Sequence, residues 1–112
     1  MTDALIFKEK RARDAIKFTI WRFNRYPPFI DITIDMFTIT TDIDSKDVKC
    51  FISEEHISAL NQYVKEAFLD NLNELFRAFG FRTVRQARES DETGKQILVF
   101  ILGGFRMDTT TK

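Results

Sequence analysis

The chain has little of what most catalytic and metal-binding motifs are made from: one cysteine, one histidine, four glycines and two prolines in 112 residues. Cys50 alone cannot close an intramolecular disulfide, so a scaffold held by bridges is excluded and a reducing, cytoplasmic setting is expected. The usual Cys/His transition-metal sites lack ligands. So few glycines leave no phosphate-cradling loop: neither G-x-G-x-x-G nor G-x-x-x-x-G-K occurs, Gly103-Gly104 stands alone, and the serine-hydrolase elbow G-x-S-x-G is missing. No metal and no cofactor is expected. Long apolar runs are absent too. The longest, Ile97 to Leu102, falls far short of the ~18 residues of a membrane span, and the opening MTDALIFKEKRARD has neither the order nor the length of a secretion signal.

Net charge is also lacking. Seventeen basic residues balance seventeen acidic ones, so no global field draws the chain to nucleic acid or to a membrane surface. The charges are nonetheless segregated. Residues 1–27 carry seven basic and three acidic side chains, 28–75 three and ten, and 76–112 seven and four. Basic ends can dock on the acidic middle, or the contrast can face a partner.

What is present suffices for one core. The chain is 44% hydrophobic and 30% charged, too apolar for a disordered tail, and its length is that of a single domain. There are no internal repeats, and only Met107 to Lys112 reads as an unstructured tail. The clearest element is a helix over 54–79. Ser53 precedes it as N-cap, Glu54 and Glu55 suit its positive end, and Gly80 stops it. Ile57, Leu60, Val64, Phe68, Leu72, Leu75 and Phe79 recur at steps of three and four along one stripe.

Residues 29–36, FIDITIDM, alternate apolar and polar as a half-exposed strand does. Ile16, Phe18 and Ile20 alternate upstream, so the two runs are expected to form a hairpin around Asn24–Pro28. In that register Ile16 meets Met36, Phe18 meets Ile34 and Ile20 meets Ile32 inside, while Lys17 meets Asp35 and Thr19 meets Thr33 outside. The rival for residues 3–23 is one amphipathic helix with Leu5, Ala12, Ile16, Ile20 and Phe23 on one side; a short helix over 3–13 followed by a strand lies between the two. The alternation slips at Phe37 and Ile39, which suggests a bulge, and a short strand near Val48–Ile52 leads into the helix. A second hairpin is expected from 81–88 and 96–102 around Glu89–Lys95.

The expected fold is α+β: a small, mainly antiparallel sheet of two hairpins and a linking strand, packed on one long helix. ILVFIL is apolar on both faces and reads as a central strand covered on both sides. One helix covers one side. The N-terminal segment or another molecule must close the second.

Four constellations bear on function. Cys50 and His56, six residues apart, would make a nucleophile and base if they met; a buried thiol beside a helix-start imidazole is the plainer reading. Asp42, Asp44 and Asp47 offer oxygen ligands, but the calcium-loop glycine and closing Glu are missing, and a solvated turn is favoured. Asp31 and Asp35 share one strand face and suit ordinary surface pairs with Lys17. The strongest signal is the interleaving of arginine with aromatics in Trp21-Arg22-Phe23-Asn24-Arg25-Tyr26 and in Phe76-Arg77-Ala78-Phe79-Gly80-Phe81-Arg82, running on to Arg85 and Arg88. Trp, Tyr and Arg dominate protein interface hot spots; the same types also stack on bases and neutralise phosphates.

The expectation is a non-enzymatic intracellular binding module acting through protein–protein interaction, as a homo-oligomer or docked on another protein. Its contact residues are expected to be Trp21, Arg22, Arg25 and Tyr26 at the first hairpin tip, with Arg82, Arg85 and Arg88 on the second. A small regulator or inhibitor, or an accessory part of an assembly such as a virus particle, suits the size. The alternative is binding of single-stranded nucleic acid or RNA through the same segments.

Overall fold

The computed structural model describes residues 3–27 and 29–106, with side chains from Ile6 onward; Leu5, Pro28 and the expected tail 107–112 lie outside the described side chains or residues. The order is helix α1 (Asp3–Phe23), strands β1 (Phe37–Thr41) and β2 (Val48–Ser53), helices α2 (Glu54–Ser58) and α3 (Gln62–Ala78), then strands β3 (Thr83–Ser90) and β4 (Gln96–Gly103). The four strands form one antiparallel sheet in the order β1-β2-β4-β3. The α+β architecture matches expectation, as do the second hairpin and the central place of ILVFIL.

The first hairpin is not formed at 16–36. Residues 3–23 are one helix, because Ala12, Ala15, Ile16 and Thr19 recur at three and four and are all buried, with Ile20 and Phe23 continuing the stripe. Nothing between Asp3 and Phe23 breaks a helix. Thr19, expected opposite Thr33 on a polar face, is buried, and its hydroxyl donates to the Ala15 carbonyl at 2.9 Å, which removes the cost of enclosing it. Phe18, expected inside, is exposed. Phe23 turns its edge to Phe68 at 5.4 Å instead of facing Phe29, and no Lys17–Asp35 pair forms among the described residues.

The alternation in 29–36 survives without a ladder. Ile30 and Ile32 are buried while Asp31, Thr33 and Asp35 are exposed, but the backbone is extended and unpaired until a single 3-10 turn at Ile34–Met36. The bulge expected at Phe37 is instead the start of β1, which pairs with β2 across the turn 42–47. The long helix is also corrected. It breaks after Ser58 and restarts at Gln62, where the Asn61 side chain accepts a hydrogen bond from the Val64 amide at 3.0 Å. Ser53 makes no such side-chain cap.

Direct partners across an antiparallel pair share a face, so the registers sort the sheet. Phe37 and Ile39, Val48, Cys50 and Ile52, Leu98, Phe100 and Leu102, and Val84 point inward to α1 and α3, where Phe76 meets Phe100 at 5.7 Å. Thr38, Lys49, Phe51, Ile97, Val99, Ile101, Arg85, Ala87 and Glu89 point outward, and none of their apolar members joins or packs on the core cluster. The N-terminal segment does not close the second face. α1 lies beside α3 on the inner side, and the smallest molecular extent, 20 Å, is that of one sheet and one helix layer.

Candidate functional site

α1 carries a second stripe, opposite in purpose to its buried one. Phe18, Trp21, Arg22 and Arg25 follow one another at i, i+3, i+4 and i+7, the first three on the last turns of the helix and Arg25 in the turn beyond it. The Phe18 and Trp21 rings stack at 5.6 Å and 15°. The Arg25 guanidinium carbon lies 5.0 Å from the Trp21 ring centre and 5.6 Å from that of Tyr26, within reach of the negative faces of both rings. On its other side Phe18 approaches Phe79 at 6.5 Å, and Arg11 lies 4.6 Å over Phe79 while its Nε donates to the Phe79 carbonyl at 3.1 Å. Tyr26, Arg25, Trp21, Phe18, Phe79 and Arg11 thus form one ridge, with three successive rings, Trp21, Phe18 and Phe79, between the cations Arg25 and Arg11. Trp21 is 53% and Tyr26 73% exposed.

Phe79 ends α3, and the chain turns sharply at Gly80, whose φ of 121° is open to glycine. A Cβ at Gly80 would lie 2.8 Å from the Phe105 ring. Just past this turn Arg77, Arg82 and Arg106 line a shallow depression of about 330 Å³ that, among the described residues, no carboxylate borders. Arg77 Nη1 donates to the Arg82 carbonyl at 2.8 Å, and the Arg106 amide donates to the Gly80 carbonyl at 2.8 Å.

The expected contact residues therefore fall in three places. Trp21, Arg22, Arg25 and Tyr26 stay together, at the end of a helix rather than at a hairpin tip. Arg82 joins Arg77 and Arg106 beyond Phe79. Arg85 points from the outer face of the sheet, whereas Arg88 points inward from the edge and pairs with Glu54 at 2.9 Å. With Lys95 3.9 Å from Glu55, that pair ties the basic last third to the acidic middle. Phe18, Phe79 and Arg11 were missed as ridge members, because reading Phe18 into a strand sent it inside. The i, i+3, i+4, i+7 spacing of residues 18, 21, 22 and 25 is the signal that finds Phe18; Phe79 and Arg11 join it through the packing of α1 on α3.

The other constellations separate. Cys50 is fully enclosed, and burial pushes its thiol up to about 12, so it is protonated at neutral pH and is not a nucleophile. His56 lies on α2 beside a second depression of about 300 Å³, which Phe29, Asp31 and Glu55 also line. Asp42, Asp44 and Asp47 occupy the β1–β2 turn. There the Asp42 carboxylate accepts from the Ser45 amide at 2.8 Å, and this bond holds its pKa below the ordinary value. Among the described residues no group of three His, Cys, Asp or Glu side chains is placed to hold a metal ion. No described helix is long and apolar enough to cross a membrane. Compared with family models, curated proteins and solved structures, the chain matches none.

Proposed function

We propose that this chain is a non-enzymatic, cytoplasmic binding module that works through protein–protein contact, with the Tyr26–Arg25–Trp21–Phe18 ridge as its docking surface. The observation that carries this reading is the preassembled, solvent-facing stack of Phe18 and Trp21 clamped by Arg25. Large rings already held in one arrangement lose little conformational freedom on binding, and their exposed area is what a partner desolvates. A role as a small regulator or as an accessory part of an assembly is consistent with it. The test is light scattering on the eluting protein with its absorbance spectrum. The expected result is a co-eluting polypeptide that disappears in Trp21→Ala and Tyr26→Ala while circular dichroism is unchanged. Retention of that polypeptide by both variants would remove the ridge from the proposal. A wild-type chain that elutes alone, at monomer mass at every concentration, counts against the whole reading.

A second reading, single-stranded nucleic acid, is favoured by one observation: the three arginines Arg77, Arg82 and Arg106 line one depression next to Phe79 at the end of the ridge. It ranks second because Phe18 stacks on Trp21 and the Arg25 guanidinium lies over the same ring, which leaves Trp21 little open face for a base. It predicts retention on heparin, excess absorbance at 260 nm, and binding that falls steeply with salt.

A further inference from the structure

The outward face of the sheet has a charge pattern that fits a copy of itself in one arrangement. Across the strands its middle row is Thr38, Phe51, Val99 and Ala87. One row toward one end come Thr40, Lys49, Ile101 and Arg85; one row toward the other come Ser53, Ile97 and Glu89. Val99 is fully buried, and Phe51, Ile97 and Ile101 beside it are half-buried, so the centre is apolar while the formal charges sit at two corners and on Lys49.

Two copies can stack such faces about a two-fold axis lying either along or across the strands. With the axis along the strands each row lies over itself. Lys49 and Arg85 of both copies then gather in one row, four cations together, and Glu89 has no counterpart. With the axis across the strands through the Val99 row, the order along each strand reverses. Ile97 then lies over Ile101 of the second copy, Ser53 over Lys49, and Glu89 over Arg85, twice by symmetry. Sheets pack ~10 Å apart, a gap that an arginine and a glutamate side chain span together.

We propose that this chain dimerises through the outer face of its sheet, with the strands of the two copies running in opposite senses and Arg85 of each paired with Glu89 of the other. The inference deepens the protein–protein reading but rests on residues separate from the ridge. Four strands at ~4.8 Å spacing and about six residues at ~3.3 Å give a footprint of roughly 400 Å² per copy. Two copies together cover about 800 Å², less than the ~1,200 Å² of a standard interface, so the dimer is a weak, transient one.

The test is sedimentation of the full chain from 5 to roughly 500 µM, for wild type, Arg85→Glu, Glu89→Arg and the double variant. Arg85 and Glu89 are both exposed, so the reversals leave the fold in place, which circular dichroism verifies. The expected result is a wild-type mass rising toward twice 13.2 kDa, at least tenfold weaker association in each single variant, and recovery in the double variant, where the reversed charges face each other again. A monomer at every concentration overturns the proposal. So does a dimer that both single variants keep, or one that the double variant fails to recover. If that surviving dimer is lost in Trp21→Ala, the ridge is the self-association surface, and the binding-module reading stands without this one.

Discussion

Leu98, Phe100 and Leu102 point from β4 into the helical layer, while Ile97, Val99 and Ile101 point from the same strand to the other side, where none packs on the core cluster. The two sets are almost equally apolar, yet one packs under the helices and the other lies outside the core cluster. The described helices cover one of the strand's two apolar faces. The outer apolar side chains are half-buried or, at Val99, fully enclosed, and a patch of this modest size is ordinary on a protein surface.

The largest effect expected is in the inward set. Phe100→Ala removes a fully buried ring that meets Phe76, and should cost about 3–5 kcal/mol in urea unfolding at low protein concentration. Ile101→Ala, its outward neighbour, should cost ~1 kcal/mol under the same conditions. Equal losses would break the contrast between the faces. At the edge of the inner layer, Gly80→Ala meets both a left-handed backbone and the Phe105 ring, and about 1–3 kcal/mol is expected. Gly94→Ala, with φ 86° and open space, should cost less, and comparing the two melting curves separates crowding from backbone strain.

Cys50 sharpens the comparison by pH, since it faces inward between outward Lys49 and Phe51. Its thiol has a higher pKa folded, about 12, than its ordinary 9.0. The contribution is intact below pH 9 and lost as pH rises from 9 toward 12, by about 1.4 kcal/mol per pH unit. Cys50→Ala should flatten that alkaline decline relative to wild type, and native Cys50 should resist thiol reagents until urea is added. A native thiol that reacts at the unfolded rate would show that the inner face is open. The smallest effect is at the sheet edge. Arg88→Ala loses the half-exposed pair with Glu54 and should cost 0 to ~1 kcal/mol, whereas Arg85→Ala should leave the dilute monomer unchanged.

The parts of the fold legible from residues alone were those whose local and tertiary demands agree. In β3–β4 the turn before Thr93-Gly94 and the two-sided apolar run both specify a central hairpin. Residues 16–20 satisfied two periods at once, and a buried stripe containing two alanines and a threonine, Ala12, Ala15 and Thr19, is weak on any hydrophobicity count. Tertiary packing decided for the helix. The break at 58–61 was masked because Ile57, Leu60 and Val64 keep helical spacing across it; Asn61 was the cap signal that went unread. Trp21, Arg25 and Tyr26 of the ridge were legible, with Arg22 beside them, and Phe18 follows from helical spacing once 3–23 is one helix. Its other members, Phe79 and Arg11, come from distant parts of the chain that only the α1–α3 contact brings together.

Phe105, whose ring crowds Gly80, also meets Phe7 edge-on at 6.0 Å, so the first turns of α1 and the stretch leaving β4 are neighbours. A circularly permuted chain is therefore within reach: a short linker can bridge these two stretches, and new ends can be opened in the exposed Asp91–Lys95 turn.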